Sequence, residues 1–258
     1  MSEQITITAL SPIAHGGFLD GIDLGNTIQF RRIPVVYDGK IVDVPTISGN
    51  SIRGAIRRIL ARELVDQYDL KEKMGKTFDK FYIALANGGN LDKSMDVKVD
   101  VEHLRQLRAT IPMLSVLGAS LYKYILPGMV SIGFATLRCS DLGTGKFPIA
   151  DLVNDVGLVR HPDRTVADAK DLTPMPYTTE TVITGSVFDA RILFAPQTTY
   201  VERACIAHAL KQISVLGAKS AAGFGRVQID NIDDDKAYLD WLDEDNADAL
   251  VDFAKELQ

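Results

Sequence analysis

Hydrophobic and polar residues along this chain change period several times, and each change marks an element. The stretch "QITITAL" alternates, with Ile5, Ile7 and Ala9 against Thr6 and Thr8, which predicts a strand with one buried face. A loop with four glycines follows, "SPIAHGGFLDGIDLGN". "TIQFRRIPVVYDGKIVDVPTI" reads as a hairpin turned at Asp38-Gly39. The period then becomes helical, with Ile52, Ile56, Ile59, Leu60 and Leu64 on one face. Ser48, Asn50 and Ser51 are all good caps, so the start of that helix is open among them.

Residues 66–110 are mixed and polar, a helical insertion broken at Gly88-Gly89. "VEHLRQLRATIPMLSVLGASLYKY" is expected to be mostly helical and "PGMVSIGFATLRC" a strand. Ser140 to Pro176 is turn-rich, with few large apolar residues after Val159, and reads as a protruding loop. "TETVITGSVFDARILFA" returns to strand alternation, with a break or bulge at Gly185. A helix, "YVERACIAHALKQISVL", is expected to close at Gly217. "GAKSAAGFG" is a glycine-rich loop, and Arg226 to Ile232 a last strand. Tyr238, Trp241, Leu242, Leu250, Phe253 and Leu257 then place one or two short helices docked on the body.

This order predicts an α+β fold: a ferredoxin-like or RRM-like antiparallel sheet with helices on one face and large insertions. The core spans 1–232, with insertions at 66–110 and 158–178, and an acidic extension occupies 233–258. At 258 residues with 46% apolar and 24% charged residues, a real core is expected. The N-terminal stretch "MSEQITITAL" has no basic segment followed by an apolar one, and no apolar run reaches spanning length. Cys139 and Cys205 show no redox or metal spacing, so a reducing, cytoplasmic setting without a membrane is expected.

The net charge of −6 argues against a nucleic-acid partner until its distribution is read. Residues 230–258 hold eleven acids and two lysines, a net −9, which leaves +3 on residues 1–229. Local basic patches on that body are compatible with phosphate binding.

Two stretches carry such chemistry. "TISGNSIRGAIRR" opens a helix with small polar residues and then places Arg53 and Arg57 on one face, and Arg58 and Arg62 on another. Cations near a helix N-terminus oppose its dipole, so their use there points either to a phosphate partner or to salt bridges with Glu63 and Asp66. Arg31-Arg32 on the hairpin would extend the same positive region. The second stretch is "GAKSAAGFGR". It is not a P-loop, because a strand follows it, but backbone N–H groups beside Lys219 and Arg226 can hold a phosphate backbone without reading bases. A tight helix-to-strand connection is the plainer alternative.

Catalytic signals are sparse. His15, His103, His161 and His208 have no metal-ligand spacing, and no nucleophile elbow is present. His208, among alanines, reads as packed or surface-exposed. His15, beside Gly16-Gly17, is the better functional candidate, as a general base or an RNA contact. Asp20 and Asp23 can serve a metal or simply form turns. No cofactor or metal is expected.

Taken together, "ISGNSIRGAIRR", "PMLSVLGAS…VSIGFATL", "DRTVADAK…TETVITGSVFDARILF" and "LGAKSAAGFGRVQI" resemble the RAMP superfamily of CRISPR-associated proteins, specifically the backbone subunit that polymerises along guide RNA. The resemblance covers most of the chain. It implies a modified RRM-like core with finger and thumb insertions, stacked in helical copies that each hold a stretch of guide RNA (crRNA). The positions matching its RNA contacts are Asn50, Ser51, Arg53 and Arg57 at the helix start, and Lys219, Ser220, Phe224 and Arg226 at the glycine loop. His15, Arg31 and Arg32 join them, and the thumb, about 159–177, adds Arg164. Partners implied are guide RNA, a complementary target nucleic acid, copies of the chain and other effector subunits. Members that cut RNA place an Asp in the first loop, where this chain reads "GNTIQFRRIPV". Asn26 or Thr27 replaces it, or Asp23 supplies it after a shift. The chain is therefore closer to non-cutting subunits of type IV or type I-D kind, and no nuclease activity is expected. A guide-processing endoribonuclease of the same superfamily, using His15, and an assembly protein that binds no nucleic acid are the alternatives.

Overall fold

The computed structural model describes residues 2–16, 27–91, 105, 108, 110–122, 124–160, 175–244 and 246–256. Strand β1 (Ser2–Ala9) buries Ile5, Ile7 and Ala9, as its alternation requires. Beyond β2 (Thr27–Ile28) come β3 (Arg32–Tyr37) and β4 (Lys40–Ile47), turned at Asp38 (φ 47°) and Gly39 (φ 71°). Two successive positive φ values make the mirror-image turn that matches strand twist. Helix α1 (Gly49–Gln67) buries Ile52, Ile56, Leu60 and Leu64. The insertion holds α2 (Leu70–Met74), α3 (Phe78–Asn87), β5 (Gly89–Leu91), α4 (Pro112–Leu117), β6 (Ala119–Tyr122) and β7 (Tyr124–Leu126).

The expected long helix over 101–124 is corrected here. Helix α4 stops at Leu117 because Gly118 (φ 71°, ψ 162°) lies outside helical space, and the next residues pair as β6 and β7. Gly118 is also required by space: a Cβ there would meet Gly128 N at 2.5 Å and Leu126 O at 2.6 Å.

The chain continues through β8 (Val130–Ile132) and β9 (Ala135–Leu137), where one strand was expected. Short α5 (Ile149–Leu152) leads to β10 (Val153–Arg160), which pairs antiparallel with β11 (Met175–Val182). The expected loop over 140–176 therefore has a two-stranded ribbon as its base. Residues 161–174, with His161 and Arg164, lie outside the described residues. After a turn at Gly185 (φ 84°) come β12 (Val187–Phe194), α6 (Tyr200–Gln212), β13 (Val227–Asp230), α7 (Lys236–Asp243) and α8 (Ala247–Glu256). Helix α6 ends five residues before Gly217, the stop that the sequence suggested. Its start is a full capping box, Thr199 with Glu202, and the Glu202 carboxylate also accepts the Ser115 hydroxyl from α4.

Among the described residues the main sheet has seven strands, in the order β13-β1-β12-β9-β4-β3, with β8 also on β12. The order β13-β1-β12-β9 is the 4-1-3-2 arrangement of a ferredoxin-like fold, with the β3–β4 hairpin added at one edge. Ile5 faces Ala190 and Ile7 faces Phe188 across the β1–β12 register, and these side chains join Ile52, Ile56, Leu60, Cys205 and Leu210 in one core. Helices α1 and α6 thus cover one face. The other carries Thr6, Asp189 and Arg138, whose guanidinium holds Asp189 at 2.6 and 2.7 Å. No described helix is long and apolar enough to cross a membrane.

The acidic extension packs into the same core through Tyr238, Leu242 and Leu250. Tyr238 stacks on Trp241, and the Tyr68 hydroxyl donates to Leu242 O at 2.9 Å. His208 is a packed residue: its Nε2 lies 2.7 Å from Glu63 of α1 and its Nδ1 2.9 Å from Asp235 at the start of the extension. Beside it, Glu3 of β1 meets Asp233, and burial followed by that second carboxyl pushes Glu3 up to about 7. A carboxyl raised by folding favours the native state when protonated, so its contribution is complete below its ordinary range and is lost as pH rises through about 7. Glu3→Gln is therefore expected to flatten the fall in Tm between about pH 4.5 and about pH 7 and to exceed the parent protein at the upper end. Calorimetry across that range checks this, and parallel curves would contradict it.

Candidate nucleic-acid interface

The six residues Ser11–Gly16 form the meeting point of four segments. Leu10 N–H donates to Arg226 O, and Gly225 N–H to Pro12 O at 2.8 Å. Ile13 and Val182 exchange two backbone bonds of 2.9 Å, which fixes β11. Ala218 N–H donates to Ala14 O at 2.7 Å, and Arg31 N–H to His15 O at 2.8 Å. Finally, the Ser48 N–H donates to His15 Nε2 at 3.1 Å. The glycine loop, β11, the β3 approach and the start of α1 are thereby held around one short run of backbone. Nothing in its composition announces this, because its partners are spread from residue 31 to residue 226.

The start of α1 settles on Ser48 as N-cap, with its Oγ accepting the Ser51 N–H at 3.2 Å. Asn50 is exposed, and no acid occupies the first turn. A 19-residue helix thus presents the positive end of its dipole there, with the Ser51 and Ile52 N–H groups taken by Ser48.

In the glycine loop, Lys219 (φ 63°), Gly223 (φ 87°) and Gly225 (φ 83°) are all left-handed around a single turn at Ser220–Ala222. The loop satisfies most of its own backbone: the N–H groups of Ala222, Gly223, Phe224 and Gly225 go to Lys219 O, Ser220 O, Lys219 O and Pro12 O, so the expected backbone cradle is corrected and its positive character comes from the Lys219 and Arg226 side chains. Lys219 Nζ bonds the Thr179 hydroxyl on β11, and partial burial lowers its ammonium below the ordinary value. Ser220 and Arg226 are exposed on the rim.

Several expected contacts are corrected by their surroundings. Arg57 is only 7% exposed. Its guanidinium points inward, donating to Leu85 O at 3.2 Å, Leu117 O at 3.2 Å and Gly118 O at 2.6 Å. Arg53 donates to Val130 O at 3.0 Å and to Leu117 O. Burial, with Arg53 nearby, pushes Arg57 down to about 10. Neither the phosphate nor the salt-bridge expectation describes this pair. The two cations meet the carbonyl-rich C-terminal ends of α3 and α4, where a positive charge offsets the helix dipole.

Arg32 is also engaged: it forms a two-pronged ion pair with Glu180, which accepts the Phe30 N–H at 2.7 Å as well. Phe224, at 9% exposure, is packed under its loop and not presented for stacking. His15 is held below its ordinary range by burial and then by the Arg31 cation, and its Nε2 is engaged as an acceptor, which removes that nitrogen from the general-base role. Arg31 stays in the cluster, and its buried Nε–H has no partner among the described residues. Asp20, Asp23 and Asn26 lie outside the described residues. Among the described residues no group of three or more His, Cys, Asp or Glu is placed to hold a metal. Thr179 and Glu180, which anchor Lys219 and Arg32, were not singled out in the sequence; an alternating Thr-Thr-Glu-Thr run was their only signal.

No protein-family model matches this chain, and no curated protein matches it. Solved structures do. A chain of a type IV-B CRISPR complex aligns with a TM-score of 0.61 and 23% identity, over 89% of this chain and 90% of that one. Thermofilum pendens Csc2 aligns with a TM-score of 0.46 and 15% identity, over 99% of this chain and 76% of that one. The fold is thus shared, nearly end to end, with the type IV-B complex chain.

Arg57→Met keeps the bulk but strands the three carbonyls, and it is expected to cost ~2–4 kcal/mol, read as a lower urea midpoint. Arg58→Met, on the exposed face of α1, is expected to stay within ~0.5 kcal/mol. Equal effects would contradict the inward role of Arg57.

Proposed function

We propose that this chain is a backbone subunit of a CRISPR ribonucleoprotein effector complex. It holds guide RNA by its phosphates, independent of sequence, and copies stack along the guide to present it for pairing with a target nucleic acid beside other effector subunits. The observation that carries this is the junction at Ser11–Gly16, which sets the positive end of α1 beside the left-handed turns of the glycine loop. The positive end of the helix dipole lies there, with Arg31, Lys219 and Arg226 around it.

The open sheet face supports the same division of labour. RRM modules read bases by stacking them on aromatic residues of this face. Here the central strands carry Gln4, Thr6, Asp189 and Arg191 with the Arg138–Asp189 pair across them. Among the described residues lining that surface Phe134 is the single aromatic, 45% exposed, where base-stacking modules use two or three, and a guide of any sequence requires backbone contacts. The fold shared with a type IV-B CRISPR complex chain supports placement in such an assembly, and the reading is non-catalytic. Metal-dependent cleavage of a complementary RNA by the assembled complex, abolished by Asp23→Ala, would contradict it.

Binding to unrelated single-stranded RNAs is expected to be nearly uniform and to fall steeply with salt. Lys219→Ala and Arg226→Ala should each weaken every RNA alike and reduce the log–log salt slope by ~0.7, the value of one phosphate contact on a single strand. Arg32→Met should leave the slope unchanged. Fluorescence anisotropy over a salt series measures both, and a flat salt response would contradict the proposal.

A further inference from the structure

We propose that His15 is the positioning residue that locks the helix half of this site to the loop half, and that it does so only as a neutral imidazole. The inference rests on the phosphate-binding reading above and assigns His15 a role other than contact with RNA or proton transfer.

Geometry carries it. Nε2 accepts the Ser48 N–H at 3.1 Å, so that nitrogen carries a lone pair and the ring proton sits on Nδ1. Ser48 is the N-cap of α1, and its own Oγ holds the Ser51 N–H. The His15 carbonyl takes the Arg31 N–H, while the adjacent Ala14 carbonyl takes the Ala218 N–H of the glycine loop. Two consecutive residues therefore tie together the helix start, the strand approach and the glycine loop. Protonating Nε2 would set two N–H groups against each other and break the tie at Ser48.

The surroundings favour the neutral ring. His15 is packed edge-on to Phe30, with ring centroids 6.0 Å apart. Burial first, and the Arg31 cation second, lower its proton affinity. Of the other charged groups on the adjoining elements, Arg32 pairs with Glu180, Lys219 bonds Thr179, Arg53 donates to Val130 O and Leu117 O, and Arg226 is exposed on the rim. A histidine depressed by folding contributes stability in full above the ordinary imidazole range, and the contribution is lost as pH falls below ~6.5. The site should therefore come apart on the acid side. This sign is unusual for RNA binding, because protonating a histidine that touches phosphate strengthens binding.

The test compares the parent chain, His15→Gln, His15→Asn and His15→Ala, each checked for folding by circular dichroism. The amide variants keep a neutral acceptor that does not titrate. Affinity for a single-stranded RNA is measured at fixed ionic strength between about pH 7.5 and pH 5, together with hydrogen exchange at the Ser48 amide. The parent is expected to lose ~10-fold or more in affinity over that range, with faster exchange at Ser48 once intrinsic rates are corrected for pH. At least one amide variant is expected to bind near the parent level at the upper pH and to vary by no more than ~2-fold across the range, while His15→Ala is weak throughout and exchanges fast. Tighter parent binding in acid, with both amide variants weak, would overturn the proposal in favour of direct contact. Equal Ser48 exchange in the parent and His15→Ala would overturn it outright. If no variant binds RNA at any pH, the phosphate-binding reading fails, and Ser48 exchange still decides whether His15 holds the helix.

Discussion

Backbone hydrogen bonds made by Ser11–Gly16 are the constraint on which the rest of the site depends. Each buried N–H and C=O must find a partner, and a loop between two strands has none of its own. This loop finds them in the glycine loop, in β11, before β3 and at the cap of α1. That requirement places three segments far apart in the chain, and the His15 side chain adds the fourth, the cap of α1. The ferredoxin-like sheet beneath supplies the rigid base, since β1 sits between β13 and β12 and delivers the loop at its C-terminal end.

The arginines of α1 show how a charge pattern can mislead. Cations in the first turns of a helix look like phosphate ligands because they oppose the dipole of their own helix. Here they offset the dipoles of two other helices. Arg53 and Arg57 close the carbonyl ends of α3 and α4 and fasten the insertion to the sheet. At the junction the remaining cations are Arg31, Lys219 and Arg226, while the N–H groups of the glycine loop are largely taken by carbonyls of the protein itself.

What the sequence revealed was what local physics decides. The alternation of β1, the Asp38-Gly39 turn and the apolar stripe of α1 each depend on residues within a few positions. The cap region of α1 and the glycine loop were legible for the same reason. Pairings set by distant chain were not. Residues 119–126 hold Leu and Ala that a helix accepts equally well, and they became strands because Gly118 breaks the helix and β5 lies alongside. The β10–β11 ribbon pairs across residues 161–174 and looked like a loop. The fate of Arg57 depended on carbonyls at Leu85, Leu117 and Gly118, and that of Arg32 on Glu180. His15 was read as a general base or an RNA contact, and the group it does engage, the Ser48 N–H, lies 33 residues away.

The most direct measurement is size-exclusion chromatography of the purified chain, with absorbance at 260 and 280 nm, before and after RNase treatment. The account predicts a large, RNA-rich species that collapses to a small one on digestion and reassembles when single-stranded RNA is added back. A nucleic-acid-free species whose size is unchanged by RNase and by added RNA would contradict it.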